Sequence, residues 1–135
     1  TQQINFFDVD GRVQLADLPG YGYAKVSRSK SDDWNQMVID YLATRRSLER
    51  IFVLIDARHG IIETDRRALK IIDSASTPYI CVLTKADKMK PAELAEVVTG
   101  VEEYLAGCSG AFPRVLATSS DTGAGIPELR ALIAR

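Results

Sequence analysis

The 135 residues suffice for one domain with a real core, and 46% apolar with 26% charged residues is ordinary for a water-soluble globular chain. A net charge of -1 argues against bulk electrostatic binding to nucleic acid, so any such contact must come from a local basic patch. Two cysteines, Cys81 in an apolar run and Cys108 in a loop, form no disulfide framework or metal cluster and fit a reducing cytoplasm; no apolar stretch nears the roughly eighteen residues of a membrane helix.

In chain order, Ile4–Val9 has the pattern of a strand, Asp10-Gly11 is a hairpin turn signal, and Arg12–Leu18 is the returning strand. Tyr21–Lys30 reads as a loop. Ser31 can cap a helix whose first turn holds Asp32 and Asp33, and whose apolar face is Trp34, Met37, Val38, Tyr41 and Leu42. Ile51–Ile55 is an uninterrupted apolar run, the mark of a strand buried on both sides, and it ends in Asp56-Ala57-Arg58-His59-Gly60. A helix over about 64–75 leads to a second such strand, Tyr79–Leu83, which ends in Thr84-Lys85-Ala86-Asp87. Pro91 opens a helix with an inward stripe of Leu94, Val97, Val98, Val101 and Leu105. Val115–Ala117 is a short third strand, ending in Thr118-Ser119-Ser120. A last helix from Ile126 faces inward with Leu129, Leu132 and Ile133.

Strand and helix alternate after the first hairpin, so the class is α/β with a mostly parallel sheet and helices on both faces. Such sheets bind ligands beyond the carboxyl ends of their strands, where the polar segments Asp17–Tyr23, Asp56–Gly60, Thr84–Asp87 and Ser119–Gly125 fall. Asp-x-x-Gly or Thr-Lys-x-Asp alone is a weak signal, and their order, each after a strand and followed by Ser-Ser, is far more specific. The Asp87 carboxylate can accept from both N1–H and the 2-amino group of guanine, donors that adenine lacks; a site matched this way discriminates by about 10⁴-fold or more. Lys85 can lay its aliphatic stem along the base plane, and backbone N–H groups at Ser119 and Ser120 can meet the guanine O6. Asp17 suits Mg²⁺ held through water, and the Gly20 N–H can face a γ-phosphate whose loss releases the loop.

The runs Asp17-Leu18-Pro19-Gly20-Tyr21-Gly22-Tyr23-Ala24-Lys25-Val26, Ile55-Asp56-x-Arg58-His59-Gly60, Leu83-Thr84-Lys85-Ala86-Asp87-Lys88 and Ser119-Ser120 resemble the EngB-type GTP-binding proteins, as do Thr1-Gln2-x-Ile4-Asn5-Phe6-Phe7 and Trp34. That bacterial ribosome-biogenesis family lies in the TrmE–Era–EngA class of GTPases, and the match runs almost end to end. The resemblance implies a Ras-like P-loop GTPase fold, with residues 1–135 forming the C-terminal portion of a GTP-binding domain from switch I onward. It implies that Thr1 and Asp17 serve Mg²⁺, that Asp17, Leu18, Pro19 and Gly20 begin switch II, and that Thr84, Lys85, Asp87, Ser119 and Ser120 bind GTP or GDP. It also implies a cytoplasmic role in assembling the large ribosomal subunit, with that subunit or its RNA as partner.

Two features depart from the pattern. No glycine of the nine is followed by Lys, so Gly-x-x-x-x-Gly-Lys-Ser/Thr is not present here. In the family that loop, a first strand and a first helix lie upstream of the segment matching Thr1, with the strand between those of Arg12–Leu18 and Ile51–Ile55. Without them the fragment is expected to bind nucleotide poorly and to expose sheet edges. Tyr21 stands where Ras-type enzymes carry the Gln that orients water, which implies slow intrinsic hydrolysis completed by a partner, a monovalent cation or a substrate group. The alternative is a nucleotide-free adaptor or an RNA- or ribosome-binding module of the same fold. Lys25, Arg28, Lys30, Arg45, Arg46 and Arg50 are equally a patch for RNA phosphates or a solvated basic face, His59 reads as a turn residue, and Trp34 as core.

Overall fold

Tyr79 to Leu83 offer no polar side chain apart from one phenol, so they bury both faces of the strand they form. In the computed structural model, which describes residues 4–21, 28–75 and 77–135 (backbone alone over 28–32), this strand is central and every one of the five is buried. It is the fourth strand in chain order, β4 (Tyr79–Thr84). It pairs in parallel with β3 (Ile51–Asp56), from Ile51 opposite Tyr79 to Asp56 opposite Thr84, and on its other side with the short β5 (Leu116–Ala117). Parallel pairing places the carboxyl ends of all three strands on one edge of the sheet.

The core lies against that sheet. Helix α2 (Glu63–Asp73) contributes Leu69 and Ile72, and α3 (Pro91–Leu105) contributes Val101 and Leu105, packed with Val53, Ile55 and Leu83. Each such side chain stabilises the fold by about 1.5–3 kcal/mol. Leu94, Val97 and Val98 complete the predicted stripe as partly buried neighbours of this cluster. Proline fills the first position of α3, where its missing N–H costs nothing, and the Glu93 carboxylate accepts from the Lys90 N–H at 3.2 Å.

The first hairpin is a separate two-stranded sheet. β1 (Asn5–Val9) and β2 (Val13–Asp17) pair antiparallel, and the chain turns through Asp10 and Gly11, both at positive φ. β2 and β3 do not pair with each other, so each closes its own sheet. All of β1 is exposed, including Phe6 and Phe7, and a lone hairpin of this kind is only marginally stable. Its ties to the body are side-chain contacts: the Arg45 guanidinium stacks 4.8 Å above the Phe6 ring, and the turn after β2 enters a second, smaller core. That core joins Trp34 and Val38 of α1 (Arg28–Thr44) to Ala68 of α2, with Leu18, Tyr21, Met37, Leu42 and Ile71 around them.

Four expectations are corrected. Ser31 lies inside α1 and does not cap it: residues 28–31 are already helical, and Arg28 and Lys30 are good helix formers. β3 is not buried on both sides: as an edge strand it buries Val53 and Ile55 but leaves Leu54 59% exposed. The third strand shortens to two residues. On α4 (Ile126–Ala134) Leu129, Leu132 and Ile133 form the less exposed face, yet none is fully buried. The Arg50 guanidinium donates to the Leu132 carbonyl and, at 3.2 Å, to that of Arg135, satisfying the end of this helix.

Candidate functional site

The edge formed by the carboxyl ends of β3, β4 and β5 gathers most of the singled-out residues. Beyond β4 the chain passes Lys85 in the left-handed region (φ 59) and enters a single 3-10 turn, Ala86–Lys88. Backbone bonds anchor this loop to the strand beside it: the Ala86 N–H donates to the Thr118 carbonyl at 3.0 Å, and the Thr118 N–H to that of Leu83 at 2.7 Å. The Thr84 hydroxyl turns back to the Ile55 carbonyl at 3.4 Å.

Asp87 is held from the β5 side. The hydroxyl of Ser119, itself 1% exposed, donates to Asp87 Oδ1 at 2.8 Å and accepts from the Thr122 N–H at 3.1 Å. That hydroxyl, with the Lys88 ammonium 3.6 Å from Oδ2, lowers the carboxyl pKa, so Asp87 is an acceptor-only carboxylate. Ser119 thus acts through its side chain. Its N–H is bonded to the Ala124 carbonyl at 2.9 Å, so of the two N–H groups expected to meet O6 only that of exposed Ser120 has no partner among the described residues.

Gly125 shapes this loop, a role that the sequence reading, which placed it in the candidate segment Ser119–Gly125, did not single out. It sits at φ 75, and a Cβ there would overlap the Ala117 carbonyl. Only a glycine lets 119–125 close over the end of β5. The signal was present in the Gly123-Ala124-Gly125 spacing, but a glycine pair by itself marks any turn.

Asp56, at the end of β3, holds a cluster of cations. Its carboxylate accepts from Arg58 through the backbone N–H at 2.9 Å, Nε at 3.0 Å and Nη2 at 2.7 Å, and lies 3.5 Å from the Lys85 ammonium. The Arg58 bonds hold its carboxyl well below the usual carboxylate range. His59 is exposed, and its N–H closes the same turn on the Asp56 carbonyl at 3.1 Å, which is the turn role expected of it.

The Asp17–Tyr21 turn reaches the same edge by side-chain bonds. α2 starts just beyond the carboxyl end of β3, and Asp65 in its first turn accepts from the Tyr21 hydroxyl at 2.6 Å and from the Ile62 N–H at 2.9 Å. The Trp34 indole donates to the Pro19 carbonyl at 2.5 Å, and its ring meets Tyr21 edge-on at 5.3 Å. Burial first, and the bond to Asp65 next, push the Tyr21 phenol far above its ordinary pKa. Leu18 and Pro19 are half-buried, whereas Asp17 and Gly20 are exposed. No group of three metal-ligating side chains occurs among the described residues. A single free carboxylate at Asp17 nonetheless fits Mg²⁺, which takes one or two carboxylates with water and phosphate. Thr1, its proposed companion, lies outside the described residues, as does Lys25.

The basic patch is reduced. Arg50 is bound to the end of α4, and Arg45 is stacked on Phe6 and, at 5.5 Å, near Tyr41. Cys81 is buried and its thiol pushed up to about 12, chiefly by burial, which leaves it a small apolar core residue.

Residues 32–135 match the family described as the elongation factor Tu GTP binding domain. The chain belongs to that family of GTP-binding domains. Along its whole length it is 53% identical to the probable GTP-binding protein EngB of Caulobacter vibrioides and 44% identical to that of Gluconobacter oxydans. It spans 59% and 60% of those two proteins, about three fifths of their length. Among solved structures, the elongation factor SelB of Methanococcus maripaludis in its apo form superposes with a TM-score of 0.74 at 22% identity, over 95% of this chain and 26% of that one. Era in complex with MgGDPNP and a segment of 16S ribosomal RNA superposes at 0.70 and 21% identity, over 99% of this chain and 44% of Era. At these identities the structures establish the fold, that of the P-loop GTPases.

Proposed function

We propose that residues 1–135 are the guanine-reading and switch II portion of a GTPase that acts in assembling the large ribosomal subunit in the cytoplasm. The observation that carries the nucleotide half of this reading is the Ser119–Asp87 bond, which keeps an ionised carboxylate beyond β4 with one oxygen committed to Ser119 and the other beside Lys88. A carboxylate accepts from two donors in line far better than any neutral group, and guanine presents N1–H and a 2-amino group in line. The loop Thr84–Asp87 supplies the base contact and Ser120 has a free N–H for O6. Mg²⁺ at Asp17, with Thr1 as its second protein ligand, would neutralise phosphate charge.

We assign the phosphate-cradling loop to a part of the full-length protein outside residues 1–135, along with a strand placed between β2 and β3. Both strands have a free edge in that place. Hydrolysis is slow without help, because Tyr21 replaces the water-orienting Gln and its hydroxyl is committed to Asp65. A partner or a monovalent cation completes the site. The ribosomal half of the proposal rests on kinship with the EngB proteins and on the family resemblance.

Fluorescent GDP and ADP analogues titrated against the full-length protein and its Asp87→Ala variant test the nucleotide half. Two charge-assisted bonds predict strong preference for GDP and a loss of about 100-fold or more in the variant. Equal, weak binding of both analogues, unchanged in Asp87→Ala, contradicts it. Co-sedimentation with large-subunit precursors in the presence of GTP analogue against GDP tests the ribosomal half, and indifference to the nucleotide would count against it.

A further inference from the structure

Lys85 leaves the end of β4 with its side chain still half exposed, yet its ammonium lies 3.5 Å from the carboxylate of Asp56, at the end of the neighbouring strand β3. Asp56 and Thr84 are register partners, so the lysine stem crosses from one strand end to the next over the edge where the base is proposed to bind. Its backbone is in the left-handed region, which aims the side chain back over the sheet while Asp87, two residues on, is tied toward β5. Arg58 binds the same carboxylate through its backbone N–H, Nε and Nη2, and the first of these bonds survives a side-chain change at 58 and keeps the carboxylate in the turn.

We propose that Asp56 is a positioning residue for guanine-nucleotide binding: by holding the Lys85 ammonium, it lays the lysine stem flat as a preformed platform for the base. The proposal rests on the guanine reading above. A free lysine has four rotatable bonds to order when a base arrives, and a stem pinned at both ends has already lost that freedom. The pair is partly exposed, so its effect is modest, the size of a surface ion pair. Asp56 touches no ligand and acts through Lys85.

The test is a double-mutant cycle in the full-length protein, read as affinity for a fluorescent GDP analogue. Asp56→Asn keeps an oxygen for the Arg58 N–H, so the turn survives while the charge is lost. Asp56→Asn alone should weaken binding about threefold to fivefold. In a Lys85→Met background the same change should have no further effect, because the ammonium it held is gone. Arg58→Ala leaves Asp56 the backbone N–H at 58 and Lys85, and should keep affinity within about twofold, although it removes the larger ion pair. Equal losses from Asp56→Asn in both backgrounds, no loss in either, or an Arg58→Ala loss matching that of Asp56→Asn would overturn the assignment. If Asp56→Asn fails to fold, Asp56→Ser, which keeps a side-chain oxygen for the Arg58 N–H without the charge, takes its place in the same cycle. Should the unaltered protein fail to prefer GDP over ADP, the guanine reading falls and this inference with it; a normal preference with an unresponsive Asp56 removes the inference alone.

Discussion

Asp65 binds two segments that are far apart in sequence. Its oxygens take the Tyr21 hydroxyl and the Ile62 N–H, so one buried carboxylate both starts α2 and holds the turn that follows Gly20. Tyr21→Phe removes one bond and leaves Asp65 its other partner; it should cost about 1–2 kcal/mol in urea unfolding. Asp65→Ala leaves two donors, the Tyr21 hydroxyl and the Ile62 N–H, without their acceptor and should cost more. The Tyr21 pKa is raised in the folded state, so its bond contributes fully below the unfolded value near 10 and is lost as pH rises above it. Stability of the unaltered chain should therefore exceed that of Tyr21→Phe at neutral pH, and the difference should shrink in alkali. At Gly125 the expected effect is sharper. Gly125→Ala combines positive φ with a Cβ overlapping the Ala117 carbonyl, so the 119–125 loop must open. GDP affinity should fall with it, while the β3–β4 amides keep their hydrogen-exchange protection.

At the scale of elements, protection should be uneven. β4 is buried from Tyr79 to Leu83 and flanked by two strands, whereas β1 is exposed throughout and paired on one side only. Amides of β1 and β2 should exchange through local opening at a small fraction of the global unfolding free energy, and those of β4 only near global unfolding. Trp34 is the sole tryptophan, and it touches Pro19 and Tyr21, so its fluorescence reports the turn after β2 directly. The elements themselves were largely legible, since apolar runs and three- and four-residue spacing place β3, β4 and α3 to within a residue or two. What periodicity leaves open is which face of a strand has a cover. Leu54 reads like Val53 and Ile55 in the sequence, and only the edge position of β3 exposes it. The same limit applies at the site. Asp87 was legible from its motif, but its hold by Ser119, thirty-two residues on, and the meeting of Tyr21 with Asp65, forty-four residues on, depend on the fold. The basic residues show the same limit: composition counts Arg45 and Arg50 as charges, whereas stacking and the end of α4 already engage them.

For the whole molecule, the carboxyl ends of three parallel strands, the first turn of α2 and the turn after β2 converge on one edge. The charges there are set for acid tolerance. Asp56 and Asp87 both have lowered pKa values in the folded state, so their contribution is fully present above the unfolded value near 3.9 and is lost only as pH falls through the lower folded values. Folding stability owed to these two carboxylates should accordingly be flat from neutral pH down to about 4, with the acid limb beginning below that. The central claim is that Asp87 reads the 2-amino edge of guanine, and the most direct measurement exchanges both partners. Xanthine carries an oxygen at that edge, which a carboxylate repels and an amide N–H can meet. GDP and XDP affinities should therefore be measured for the full-length protein and its Asp87→Asn variant. The account predicts preference for GDP in the unaltered protein and for XDP in the variant; an unchanged preference in Asp87→Asn would contradict it.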